Sequence, residues 1–100
     1  MQTKRSLNTR TKLKEFKPTL FKVILLNDDV TTMEFVVMVL CEIFNKELKQ
    51  AIELMMKIHK NGSAVCGIYT KEIAQTKQNQ TLSLAKANGF PLKCVIKEDQ

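Results

Sequence analysis

Three breakpoints decide what this chain can fold into. Asn27-Asp28-Asp29, Asn61-Gly62 and Asn88-Gly89 consist of residues whose short polar side chains, or missing Cβ, favour turns and left-handed backbone. Between them the apolar residues change period. Leu20-Phe21-Lys22-Val23-Ile24-Leu25-Leu26 is short and rich in β-formers, the pattern of a strand buried on most of its surface. After the first break, Thr31-Thr32-Met33-Glu34 spells a capping box, in which Thr31 covers exposed amides and Glu34 reaches back to the Thr31 amide. Phe35, Val36, Val39, Leu40, Ile43 and Phe44 then recur at helical spacing and predict a helix to about Phe44. Asn45 is the expected cap of a second helix over 46–60, with Leu48, Ala51, Ile52, Met55, Ile58 and His59 on one side. Gly62 stops it. Ala64-Val65-Cys66-Gly67-Ile68-Tyr69 reads as a second strand. Thr70 caps a third helix over 71–88, with Ile73, Ala74, Leu84 and Ala85 inward. From Leu92 to Lys97 a third strand alternates, one face wetter than the other. The order β-α-α-β-α-β packs most economically as a two-layer α+β domain, a three-stranded sheet with three helices on one face.

A chain of 100 residues suffices for one such domain with a modest core. Its charge is unevenly placed. Residues 1–17 hold Lys4, Arg5, Arg10, Lys12, Lys14 and Lys17 against Glu15, six minus one or +5 of the total of +6. That polar segment reads as a disordered basic N-terminal extension, and 18–100 as the folded domain. A nucleic-acid-binding fold carries its basic face on the fold itself, and here the fold is nearly neutral. A small nucleic-acid-binding protein using only the basic tail is the alternative reading. No apolar run approaches the ~20 residues of a membrane span. The three cysteines, Cys41, Cys66 and Cys94, are odd in number and widely spaced, as in a protein of the reduced cytoplasm.

Equipment for catalysis is scarce. The chain has no phosphate loop, no GxSxG and no HExxH. Cys41, Cys66, Cys94 and His59 fall outside chelate spacing, and two adjacent carboxylates make a weak metal site, so neither metal nor cofactor is expected. Taken singly, Asn27-Asp28-Asp29 is a solvated turn before a helix, and His59 a helix-end residue near a dipole. Taken together they differ. Asn27 offers a carbonyl, Asp28 a carboxylate and His59 a ring nitrogen, all acceptors for a cationic ammonium. Met33, Val36, Met55 and Ile58 supply apolar walls. An apolar body with a few convergent polar groups is the usual design of a ligand site.

Leu25-Leu26-Asn27-Asp28-Asp29-Val30-Thr31-Thr32-Met33-Glu34-Phe35-Val36 resembles the signature segment of the ClpS adaptors. His59-Lys60-Asn61-Gly62-Ser63-Ala64-Val65-Cys66-Gly67 is similar to their HxxGxAxCG segment, and Thr70-Lys71-Glu72-Ile73-Ala74-Gln75-Thr76-Lys77 to their TxExAxTK segment. Pro91-Leu92 fits their closing strand. The resemblance spans about 21–96. It implies the β-α-α-β-α-β fold and an adaptor, not an enzyme. Such an adaptor binds N-degron proteins whose first residue is Leu, Phe, Tyr or Trp, and delivers them to the ClpA unfoldase of the ClpAP protease. It implies that Asn27, Asp28 and His59 contact the cargo's α-amino group and that Met33 is a gate against β-branched first residues. Val36, Met55, Ile58 and Leu92 would line the side-chain pocket, while Asp29 and Thr31 would hold or contact the cargo backbone. Glu72 and Lys77 would dock on the N-terminal domain of ClpA, and residues 1–17 would take part in delivery by a monomer. This chain departs from the family at Val30, often aromatic there, and at Thr32, often Pro.

Overall fold

The structure, a computed structural model, describes residues 18–100; the basic extension expected over 1–17 lies outside them. In chain order the elements are β1 (Leu20–Leu26), α1 (Met33–Glu42), α2 (Leu48–Asn61), β2 (Ser63–Thr70), α3 (Lys71–Ala87) and β3 (Lys93–Glu98). β1 is the central strand, antiparallel to β2 on one side and β3 on the other. The domain is the two-layer α+β sandwich that the alternation of periods predicts. No helix among the described residues is long and apolar enough to cross a membrane.

The period of two along β1 sets the inner face. Val23 and Leu25 are fully buried, and Leu25 lies opposite Ala64 on β2 and Cys94 on β3. The β1–β2 register shifts between Val23 and Ile24: Val23 faces Gly67 and Ile24 faces Val65, leaving Cys66 as the extra residue of a bulge. Gly67 leaves room there for the Tyr69 ring, which a Cβ would displace. The helices close the other layer. α1 and the turn after it bring Phe35, Val36, Val39, Leu40, Ile43 and Phe44, all buried as their spacing predicts. α2 adds Ala51, Met55 and Ile58. Each large apolar side chain so buried contributes roughly 1.5–3 kcal/mol. Thr81 is fully buried on α3, and its hydroxyl is satisfied by donating to the Lys77 carbonyl at 2.8 Å.

Several local expectations need correction. The N-cap of α1 is Thr32, not Thr31: the Thr32 hydroxyl accepts from the Phe35 amide at 3.2 Å, because the Thr31 hydroxyl is turned back to Asp28. α1 ends at Glu42 with Ile43 as its C-cap, short of Phe44. Asn45 does not cap α2. It takes left-handed backbone (φ 55°) in the connection, and Glu47 holds the cap position with no side-chain bond. Thr70 does sit at the N-cap of α3, but its side chain makes no capping bond. Leu48, Ile52 and Ile73, expected inward, are exposed. The inward stripes of α2 and α3 contain the small, fully buried Ala51 and Ala74, and these larger neighbours fall outside them.

Two contacts position the elements that matter below. Gly62, at φ 89°, ends α2 and donates its N–H to the Ile58 carbonyl. Its own carbonyl then accepts the Asn27 N–H at 2.8 Å, so the turn after β1 is tied to the end of α2. At the far end of α1, the Lys77 ammonium donates to the Ile43 carbonyl at 2.6 Å and lies 5.8 Å from the centre of the Tyr69 ring. It is a cation at a helix C-terminus, where the dipole favours it.

Candidate binding cleft

Between the β1–α1 turn, the start of α1 and the last turns of α2 lies a cleft of about 470 Å³. Its wall includes Asn27, Asp28, Asp29, Thr31, Met33, Val36, Met55, Ile58 and His59. These residues are separated by up to 32 positions in the chain, and the β1–β2 ladder with the Asn27–Gly62 bond at its end brings their two segments together.

The turn is folded around Asp28. One carboxylate oxygen, Oδ1, accepts the Val30 N–H at 2.8 Å and the Thr31 N–H at 2.6 Å, and Oδ2 accepts the Thr31 hydroxyl at 2.7 Å. Partial burial pushes the Asp28 carboxyl upward, but the bonds from the Thr31 amide, the Thr31 hydroxyl and the Val30 amide together outweigh it and hold the group below its ordinary value. Asp28 is therefore a carboxylate at neutral pH. Such a group has about four acceptor sites, so Oδ2 retains capacity for a further donor. Asp29 is exposed at the same turn. His59 is exposed in the last turn of α2.

The apolar part comes from the helices. Val36, Met55 and Ile58 are buried and form the floor. Met33, the first residue of α1, is 42% exposed at the rim. Asp28, Asp29 and Glu34 line the cleft and no Lys or Arg does, so its potential is negative. An apolar floor under an anionic rim suits a cation attached directly to an apolar group. Among the described residues no group of three His, Cys, Asp or Glu could hold a metal ion.

Three lining residues escaped the sequence reading as site residues: Val30, Thr32 and Glu34. Their neighbours in the motif were the only signal available. Leu92, placed in the side-chain pocket by the resemblance, is a core residue. It is 4% exposed, and it is not part of the cleft wall. Two residues before it, the Phe90 ring packs on Phe35 at 4.8 Å. Glu72 and Lys77 lie apart from the cleft on α3, Glu72 exposed and Lys77 half-buried by its bond to Ile43. The cysteines are free thiols. Burial pushes Cys66 up to about 12 and Cys94 up to about 11, which leaves both unreactive.

Comparison with known proteins matches residues 16–95 to the family described as "ATP-dependent Clp protease adaptor protein ClpS". The ATP-dependent Clp protease adapter protein ClpS of Paraburkholderia phymatum is 52% identical over 81 residues, 81% of this chain and 78% of that one. The protein of the same name from Campylobacter jejuni is 51% identical over 90 residues, 90% of this chain and 92% of that one. Among solved structures, Agrobacterium tumefaciens ClpS2 bound to L-phenylalaninamide superposes with a TM-score of 0.81 at 40% identity, covering 83% of this chain and 100% of that one.

Proposed function

The chain belongs to the ClpS family of ATP-dependent Clp protease adaptors, and on that premise we propose that its cleft holds the first residue of a cargo protein by the free α-amino group and an apolar side chain. The observation that carries this reading is the convergence of Asn27, Asp28 and His59 with the buried floor of Val36, Met55 and Ile58 in one cleft. The ligand of the Agrobacterium protein supports it, since phenylalaninamide combines a free amino group with a bulky apolar side chain.

Each group has its part. The α-ammonium, with three donors, is received by the Asp28 carboxylate, the Asn27 side-chain carbonyl and a His59 ring nitrogen. Asp29 and Thr31 meet the cargo backbone. The first side chain, Leu, Phe, Tyr or Trp, lies on the floor, and Met33 closes over it and excludes β-branched residues. A charge-assisted hydrogen bond contributes about 1.5–3 kcal/mol, and burial of a Leu or Phe side chain adds about 1.5–3 kcal/mol. After association costs these sums allow micromolar or tighter binding of one residue. An internal residue offers only a neutral amide with one proton, and the chain preceding it would meet the Asn27–Asp28 turn.

The adaptor acts by binding and not by catalysis, and it hands its cargo to the ClpA unfoldase of the ClpAP protease in the cytoplasm, as a monomer. Docking on the N-terminal domain of ClpA uses Glu72 and Lys77 of α3, and residues 1–17 take part in delivery. Unpaired thiols suit a reducing compartment. Titration with a peptide beginning in Phe, against the same peptide N-acetylated, tests the central reading. The free peptide should bind and the acetylated one should not; equal affinities would overturn it.

A further inference from the structure

We propose that Met33 makes the cleft sensitive to oxidants: conversion of its thioether to the sulfoxide weakens the hold on an apolar first residue. Met33 acts so only if the cleft holds such a residue, the reading given above.

The chain has five methionines. Four are described, and they differ in access. Met55 is 9% exposed in the floor, and Met38 is partly buried against the core. Met33 and Met56 are 42% and 41% exposed. Of these two only Met33 lines the cleft. As the first residue of α1 its side chain leans back over the turn before its own Cα, which here is the turn that carries Asp28. Oxidation therefore reaches the rim first and leaves the floor intact.

The step is an oxygen-atom transfer from a peroxide. The sulfur lone pair attacks one peroxide oxygen, the S–O bond forms and the O–O bond breaks. Sulfur gives up two electrons, and when the oxidant is hydrogen peroxide the departing hydroxide takes the proton from the oxygen now bound to sulfur and leaves as water. The product is polar and chiral where the thioether was flexible and apolar, and methionine sulfoxide reductases reverse it. The floor of Val36, Met55 and Ile58 offers no donor to the new oxygen; the donors that line the cleft belong to Asn27, Thr31, Thr32 and His59, and of these Asn27, Thr32 and His59 are exposed. The oxygen turns to water or to these exposed polar groups and draws the gate off the apolar cargo side chain.

The test compares wild type, M33L and M56L before and after a short hydrogen peroxide treatment that is quenched before titration. The probe is a fluorescent Phe-initiated peptide lacking Met, Cys and Trp, and peptide mapping reports which methionines carry oxygen. Treated wild type and treated M56L should each lose affinity by at least about fivefold, the loss of an apolar contact to a polar group. M33L should hold its own untreated value after treatment, which also removes Cys41 as the cause. Reductases acting on both sulfoxide epimers should restore wild type, and excess peptide should slow oxidation of Met33 but not of Met56. Unchanged affinity with Met33 fully converted, an equal loss in M33L, or oxidation of Met56 without Met33 would each overturn the proposal and leave the cleft reading standing. If untreated protein fails to distinguish the free from the acetylated peptide, the cleft reading itself falls, and this gate with it, before any oxidant is added.

Discussion

The Asn27 amide donates to the Gly62 carbonyl across 2.8 Å, one step beyond the last β1–β2 pair, Leu26 with Ser63. The bond extends the β1–β2 ladder to tie the turn bearing Asp28 to the helix end bearing His59. Gly62 makes it possible, because its φ of 89° aims the carbonyl away from α2. Open space surrounds the position where a Cβ would sit, so the requirement is one of backbone conformation and not of room. Gly62→Ala should destabilise the domain by about 1–2 kcal/mol through left-handed backbone and should weaken peptide binding as well. Denaturant melts and peptide titration of the same variant check both.

Asp28 holds the turn and, in the proposed function, the cargo, and two variants separate these roles. Asp28→Asn keeps an acceptor for the Val30 and Thr31 amides but removes the charge, so peptide affinity should fall by about tenfold or more, one charge-assisted bond, with the fold retained. Asp28→Ala should lose the same binding and also loosen the turn. Unchanged affinity in either would contradict the role given to Asp28.

The depressed pKa of Asp28 also has a sign in stability. The folded-state value lies below that of the unfolded chain, about 3.9. The group therefore stabilises the fold above that pH, and its contribution disappears as pH falls through the folded-state value. The stability difference between wild type and Asp28→Asn should shrink below about pH 4, as measured by urea melts from pH 2 to 7.

Lys77 has a structural duty distinct from any docking. Its ammonium caps α1 through the Ile43 carbonyl, and Lys77→Met should cost about 1.5–3 kcal/mol, the range for a bond to a charged group. For a domain of this size, each kcal/mol lowers Tm by about 4–8 °C. Peptide affinity at temperatures well below Tm should stay near wild type, because Lys77 is remote from the cleft wall.

The thiols should divide by burial. Cys66 and Cys94 are buried, and burial raises them to about 12 and about 11, whereas Cys41 is only half-buried. Iodoacetamide at pH 8 should label Cys41 in the native protein, and Cys66 and Cys94 only after denaturation, with mass spectrometry as the readout.

Much of this was legible before any coordinates. Element order and type followed from the change of apolar period around three turn signals, and the buried set of α1 followed from its spacing. The helix stop at Gly62 was legible too, because left-handed backbone strongly prefers glycine. Capping was harder to read. Thr31 and Thr32 have the same chemistry, and only the position of the Asp28 carboxylate decides which hydroxyl turns back and which one caps. Asn45 has the composition of a cap, yet its place between two tightly spaced helices calls for a left-handed residue instead. Ile52 and Ile73 match a helical stripe, but periodicity does not say which edge of a stripe the sheet will cover. The place of Leu92 in the pocket rests on family resemblance alone, and the Phe35–Phe90 contact is one that no sequence pattern announces.

Every hydrogen bond observed at the Asp28 carboxylate comes from within three residues of it. Most of the ordering entropy of that loop is thus already spent when the protein folds, and an arriving ligand meets a receptor that is set in advance. On the proposed function, selectivity then falls to what remains adjustable, the methionine at the rim.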